Sequence, residues 1–148
     1  MPAPVEVLRE VRRVLKIGGC CHFIEVDNAS FRTVPEDQEV MRAMSALNDA
    51  QQRSGGDPYL GKGLGELFRE AGFEKIDVRP RPISGSASDP VFFRAFVEEF
   101  AEIFESLDDA LGPEMTAHIH AAAGRLRSLP GIEGAEMHYC PWMGRATR

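Results

Sequence analysis

Residues 57–80 read DPYLGKGLGELFREAGFEKIDVRP and carry the pattern that decides the fold. Apolar residues recur at intervals of three and four over residues 60–71, which predicts a helix, and Gly72 predicts its end. The letters EKIDV then alternate apolar and polar residues, which predicts a strand. Pro80 and Pro82 indicate an edge strand, because proline cannot donate a hydrogen bond to a neighbouring strand.

The glycines of GKGLG, residues 61–65, are spaced like those of a nucleotide-cofactor loop. Such a loop follows a strand directly, since the turn off that strand aims the backbone at the ligand. Here the glycines follow DPYL, which is typical of a turn, so the pattern predicts the start of a helix. An anion held at that helix start with the help of Lys62 is the alternative.

The segment before this stretch predicts a helix, a strand and a second helix. VEVLREVRRVLKIGG has helical apolar spacing and ends in glycines. CCHFIEVD, residues 20–27, is a compact apolar run of the kind found in strands that are covered on both faces. A second helix is expected to open at Thr33, Pro35 and Glu36 and to bury Val40, Met41, Met44 and Leu47.

The segment after it predicts two more helices and a last strand. SGSASD, residues 84–89, is expected to be a loop, and Asp89-Pro90 to cap a long helix. The apolar face of that helix comprises Phe93, Phe96, Val97, Phe100, Phe104, Leu107 and Leu111, and Asp108 belongs to its solvent face. Another helix is expected after Gly112-Pro113. AEMHYCPWMGRAT, residues 135–147, is expected to form one closing strand.

Composition limits the classes of function. The chain has 148 residues and a net charge of −6, which argues for one globular domain and against nucleic acid or an anionic membrane as a partner. Residues 1–13 mix charges into their apolar positions and do not resemble a signal peptide. Three cysteines, two of them adjacent, are not typical of a disulfide framework, so a cytoplasmic setting is expected.

The order of these segments resembles the second half of class I S-adenosylmethionine-dependent methyltransferases, most closely the quinone-biosynthesis-type and small-molecule enzymes. In that family a helix ends R-V-L-K-P-G-G before the fifth strand, and RVLKIGG at residues 13–19 matches with Ile17 in place of the proline. A helix ending R-E-A-G-F precedes the sixth strand, and residues 69–73 match it fully. An antiparallel seventh strand closes the family's sheet, and residues 135–147 resemble it.

The resemblance implies an α/β chain with a partial Rossmann-like methyltransferase fold over residues 1–148 as a single domain. Its sheet is expected to be small and mixed, with about three strands, the last one antiparallel, and four to five helices. The implied function is methyl transfer from S-adenosylmethionine to a small molecule. The family binds that cofactor on the first half of the sheet, which this truncated chain is expected to lack. It is therefore expected not to bind S-adenosylmethionine or to be active alone, and to need a separate N-terminal methyltransferase half.

Candidate site residues follow from the position of the first predicted strand. In open α/β sheets ligands lie beyond the carboxyl ends of parallel strands, which points to Glu25, Asp27, Asn28 and Phe31 for substrate binding. Glu25 or Asp27 is a candidate proton acceptor; the alternative is that both are ordinary polar residues at the end of a strand. Tyr59 is a candidate substrate contact, as is Trp142, with buried packing as the alternative for each. No metal site and no nucleophile–histidine pattern is predicted.

Two other accounts fit the sequence. The chain is either a non-catalytic homodimeric or small-ligand-binding remnant of the family, or a fragment of a longer enzyme. A homodimer is expected in particular because the strand at residues 20–26 lacks a fourth-strand neighbour. The dimer is expected to form through that edge or through the phenylalanine-rich helix.

Overall fold

The computed structural model describes residues 3–107 and 112–148, and its α/β class is the predicted one. Within these residues the α-helices are α1 (Pro4–Val14), α2 (Gln38–Arg53), α3 (Leu64–Glu70), α4 (Pro90–Glu105) and α5 (Pro113–Ser128). The strands are β1 (Cys20–Glu25), β2 (Arg32–Val34), β3 (Glu74–Pro80), β4 (Ile83–Ser86), β5 (Glu136–Tyr139) and β6 (Trp142–Thr147).

The chain divides into two compact units, each with its own sheet and core. The first unit comprises Met1–Ala29, Asp57–Pro82 and Cys140–Arg148, and the second comprises Ser30–Gly56 and Ile83–Tyr139. The sequence predicted a single domain over residues 1–148, and this stays a prediction.

The sheet of the first unit has the strand order β1-β6-β3. β6 is antiparallel to β1, with Cys20 opposite Thr147 and Glu25 opposite Trp142. It is antiparallel to β3 as well. β1 and β3 therefore run parallel to each other, and the last strand of the chain is the antiparallel one, as predicted.

Helices α1 and α3 pack on one face of this sheet. Their apolar side chains form a core with inward residues of the strands; its buried members are Leu8, Leu64, Phe68, Ala71, Phe73 and Ala146. A Cβ atom on Gly144 would lie 2.6 Å from Leu64 and from Phe68, so α3 rests directly on β6. Gly72 ends the helix with φ at +84°, the left-handed conformation that favours glycine.

The prediction that β1 is covered on both faces is wrong. Exposed and half-buried residues alternate along it, and Cys20, His22 and Ile24 are exposed. Because α1 and α3 lie on one face, only the opposite set of side chains, which includes Cys21 and Phe23, reaches the core.

The prediction that the strand before Pro82 lies at an edge is confirmed. β3 is an outer strand of its sheet and ends at Pro80. Its pairing with β6 is interrupted by a register shift between Glu74 and Asp77.

The second unit packs α2, α4 and α5 on a sheet with the order β2-β5-β4. The predicted phenylalanine face of α4 is buried in this core together with Ile119, Leu126 and Met137. Asp89 caps α4 as predicted, since its carboxylate accepts a hydrogen bond from the Phe92 N–H at 3.0 Å. Leu111 and Asp108, also assigned to this helix from the sequence, lie outside the described residues.

The second sheet was not predicted, and two of its strands replace other assignments. The loop expected at SGSASD is wrong for residues 84–86, which belong to β4 and pair with β5, whereas residues 87–89 form a turn. The helix expected to open at Thr33 begins instead at Gln38, since Arg32–Val34 forms β2. The cap is Asp37, which accepts hydrogen bonds from the Glu39 and Val40 N–H groups at 3.0 and 3.3 Å.

The single closing strand is also wrong, because residues 135–147 contain two strands. β5 ends at Tyr139 and pairs with β2 and β4, whereas β6 begins at Trp142 and pairs with β1 and β3. Pro141 separates them and has no N–H group to continue a ladder.

Among residues 3–107 and 112–148, no helix combines the length and the apolar character needed to cross a membrane.

Candidate functional site

The carboxyl ends of β1 and β3 lie at the same end of the first sheet, on either side of the start of β6. Trp142, the first residue of β6, lies opposite Glu25 in one pairing and opposite Pro80 in the other. The chain leaves β1 through Val26 and Asp27, so these residues and Trp142 lie together at the carboxyl end of β1.

Asp27 is buried at this end of the sheet and binds two other side chains. Only 4% of the residue is exposed, and its Oδ2 atom lies 3.3 Å from Lys62 Nζ and 3.3 Å from Trp142 Nε1, which donates to it. A buried carboxylate is costly unless it is paired and hydrogen-bonded. Asp27 therefore holds Lys62 and Trp142 in place. The Lys62 side chain is 58% exposed and faces solvent.

Gly61 brings the segment that carries Lys62 against the end of β1. Its N–H donates to the Val26 carbonyl at 2.9 Å. A Cβ atom at this position would lie 2.7 Å from Trp142 Cδ1 and 2.9 Å from the Val26 oxygen. Only glycine permits this approach without a shift of the backbone, and residues 60–63 form a 3₁₀ turn that leads into α3.

The three glycines of GKGLG lie in the turn before α3 and in its first turn. Gly61 faces the chain's own backbone and indole ring, Gly63 precedes α3, and Gly65 lies in its first turn. The stretch begins a helix, as the sequence predicted.

Glu25 differs from Asp27 in its environment. It is half-buried at the end of β1, and this burial raises the pKa of its carboxyl group by disfavouring the charged form. A carboxyl group with a raised pKa is better matched to accepting and holding a proton than an ordinary surface glutamate. Of the two acids selected from the sequence, Glu25 is the one suited to proton transfer.

The remaining predicted residues are distributed over both units. Asn28 is buried, and its N–H donates to the Pro58 carbonyl at 3.0 Å. Tyr59 is 39% exposed, so the alternative that it is a buried packing residue is wrong. Phe31 belongs to the second unit, where its ring packs on Phe100 in the core with centroids 4.9 Å apart.

The structure thus brings together Glu25, Asp27, Lys62 and Trp142 at the carboxyl end of β1. Sequence reasoning placed Lys62 only at a helix start and did not connect it to Asp27. The two residues are far apart in the sequence, and no spacing rule joins them.

A cavity of about 330 Å³ lies in the second unit. Its polar groups are engaged by the chain itself: Arg125 pairs with Asp37 at 2.8 Å, and the Thr33 hydroxyl donates to the Pro35 carbonyl. Over the described residues no cluster of three or more His, Cys, Asp or Glu side chains is arranged to hold a metal ion.

In comparisons with known proteins, no family model matches this chain, and no curated protein resembles it significantly.

Proposed function

We propose that this chain is the substrate-side part of a class I methyltransferase that acts on a small molecule. One observation carries the proposal: the order β1-β6-β3, with β6 antiparallel to two parallel strands, gathers Glu25, Asp27, Lys62 and Trp142 at the carboxyl ends of those strands. The motifs RVLKIGG and REAGF precede these two parallel strands, in the order expected from the resemblance.

In this proposal Glu25 accepts the proton that leaves the substrate. A methyl acceptor that is a hydroxyl group or an acidic carbon must lose a proton as its new bond forms, and a carboxylate within hydrogen-bond reach takes that proton. The raised pKa of Glu25 supports this role. Asp27 is a positioning residue, because both Lys62 and Trp142 are bound to its Oδ2 atom.

The proposed substrate contacts are Lys62 and Tyr59, which are exposed, and Trp142, which is half-buried. The Lys62 ammonium group attracts an anionic substituent, and the rings of Trp142 and Tyr59 offer faces on which an aromatic or other flat molecule stacks. Tyr59 is held in place by its own N–H, which donates to Asp57 Oδ1 at 2.8 Å. A small hydroxylated, anionic molecule therefore suits the site at the carboxyl end of β1.

S-adenosylmethionine is proposed to bind only when a first methyltransferase half is also present. Holding the methyl sulfonium in line with the acceptor is an orientation effect, and it requires both sides of the site. The glycines of GKGLG do not supply the missing side, because Gly61 is packed against Trp142 and Val26.

The experiment is a calorimetric titration of this chain with S-adenosylmethionine and with its product S-adenosylhomocysteine. No saturable heat is expected at micromolar cofactor concentrations. A one-to-one isotherm in the low micromolar range would show that the chain carries a complete cofactor site and would contradict the proposal.

A cytoplasmic setting is proposed as well. Cys20, Cys21 and Cys140 are all thiols, which suits a reducing compartment. The net charge of −6 argues against nucleic acid and anionic membranes as partners.

A further inference from the structure

We propose that the outer edge of β1 is a dimer interface at which a second copy of this chain pairs its own β1 in antiparallel orientation. The inference does not rest on the proposed function. It rests on a contrast between the two edges of the first sheet, and on the charge pattern along β1.

The β3 edge has the features by which proteins prevent unwanted strand pairing. It contains Pro80, its ladder is interrupted between Glu74 and Asp77, and Lys75 has φ at +47°, a rare value for a residue with a side chain. Charged side chains occupy it as well, with Arg79 paired to Asp77 at 2.7 Å. Proline, irregular pairing and charge are the usual means of blocking an edge.

The β1 edge lacks these features over residues 20–24, and Glu25 is the one charged residue of the strand. Its pairing with β6 runs without a shift over all six residues from Cys20 to Glu25. Residues 20–24 contain no proline and no lysine, arginine or carboxylate. Within the described residues β6 is the only strand paired with β1, so its other side presents a regular row of backbone groups.

The exposed side chains of β1 are Cys20, His22 and Ile24, of which Ile24 is the large apolar one. Ile24 is 65% exposed on the face that α1 and α3 leave open. A regular edge strand with exposed apolar side chains is a template for pairing with another chain. The phenylalanine face of α4 is buried within its own unit, so it is not open to a second copy.

The charges flanking β1 favour a second copy as the occupant. Lys16 is exposed in the turn before the strand, where its carbonyl accepts a hydrogen bond from the Gly19 N–H at 2.8 Å, and Glu25 ends the strand. A two-fold axis near His22 sets the acidic end of each strand beside the basic end of the other. It also places Ile24 of each protomer opposite Cys20 of its partner. An interface of this kind uses the same patch twice, as two-fold dimers do.

A first methyltransferase half would pair with this same edge. Self-pairing is therefore the state of the chain on its own, and the two assemblies are alternatives for one strand.

The test is the mass of the chain in solution by light scattering at tens of micromolar protein. The parent chain is expected to have about twice its 16.4 kDa monomer mass. Ile24→Lys is expected to halve that mass, because it places a charge at the edge. The matched control is Ile17→Lys, which alters a side chain that is 92% exposed but outside the strand, and this variant is expected to remain a dimer.

A parent chain of monomer mass would overturn the proposal, as would an Ile24→Lys variant that is folded by circular dichroism and still dimeric. Hydrogen exchange on the parent chain gives an independent readout that needs no variant. Amides of residues 20–25 are expected to gain protection as protein concentration rises. A dimer whose concentration-dependent protection lies elsewhere, for example in α4, would refute the β1 interface.

Discussion

Phe68→Ala is expected to lower the free energy of unfolding by about 3–5 kcal/mol, the usual cost of emptying a buried phenylalanine site. Phe68 is fully buried in the first unit. Its ring makes edge contacts with Phe23 of β1 and Phe73, at centroid distances of 5.8 and 5.4 Å. The same ring lies beside Leu64 against β6 at Gly144, so its loss removes part of the packing between α3 and the sheet.

Chemical denaturation followed by circular dichroism measures this effect. The matched control is Phe92→Ala, because Phe92 is 40% exposed at the start of α4. Its cost is expected to be clearly smaller. Equal losses for the two variants would contradict the assignment of Phe68 to the centre of a core.

Gly61→Ala is expected to destabilise the protein by roughly 1–3 kcal/mol through overpacking. The added methyl group would meet the Val26 carbonyl at 2.9 Å and Trp142 at 2.7 Å. A backbone carbonyl at a strand end cannot turn aside as a flexible side chain can. Relief of the clash must move the turn, and with it Lys62 away from Asp27.

Gly63→Ala is the matched control within the same five residues. A Cβ atom there meets nothing within 4 Å, and its φ of −85° suits any residue. The variant is expected to be neutral or to stabilise by up to about 1 kcal/mol, because alanine loses less backbone entropy on folding than glycine.

The fluorescence of Trp142, the one tryptophan of the chain, distinguishes the two glycine variants. Gly61→Ala is expected to shift its emission and Gly63→Ala to leave it unchanged. A Gly61→Ala variant as stable as the parent chain, with unchanged emission, would show that the close approach is not required.

The sequence predicted the elements whose pattern extends over several turns. The helical spacing of α4 identified its buried face, and the stop at Gly72 and the edge position of the strand before Pro82 were each visible in a single residue type. These features follow from local rules, because periodicity, helix caps and proline act within a few residues.

The second sheet could not be predicted in the same way. β2 has three residues and β4 has four, which is too short for an alternating pattern to stand out, and ISGS lacks the β-branched run typical of strands. They become strands because β5 lies between them and supplies their hydrogen bonds. The break between β5 and β6 at Cys140-Pro141 likewise depends on the different strands with which β5 and β6 pair.

The candidate site was predicted in part. The end of β1 indicated Glu25 and Asp27, since the position of a strand end follows from the apolar run before it. The different roles of the two acids depend on burial and on Lys62, which lies 35 residues beyond Asp27 in the numbering. Phe31 follows the same strand closely, yet its side chain is directed into the second core.

A nuclear magnetic resonance titration of this chain with a small hydroxylated aromatic acid, 4-hydroxybenzoate, at millimolar concentration tests whether a substrate site lies at the carboxyl end of β1. Its carboxylate, ring and hydroxyl group match Lys62, Trp142 and Glu25. Saturable shifts are expected to converge on the amides of residues 25–28 and 59–62 and on the Trp142 indole. Shifts confined to the second unit's cavity around Val40 and Leu126, or no shifts near Glu25, would contradict a substrate site at the carboxyl end of β1.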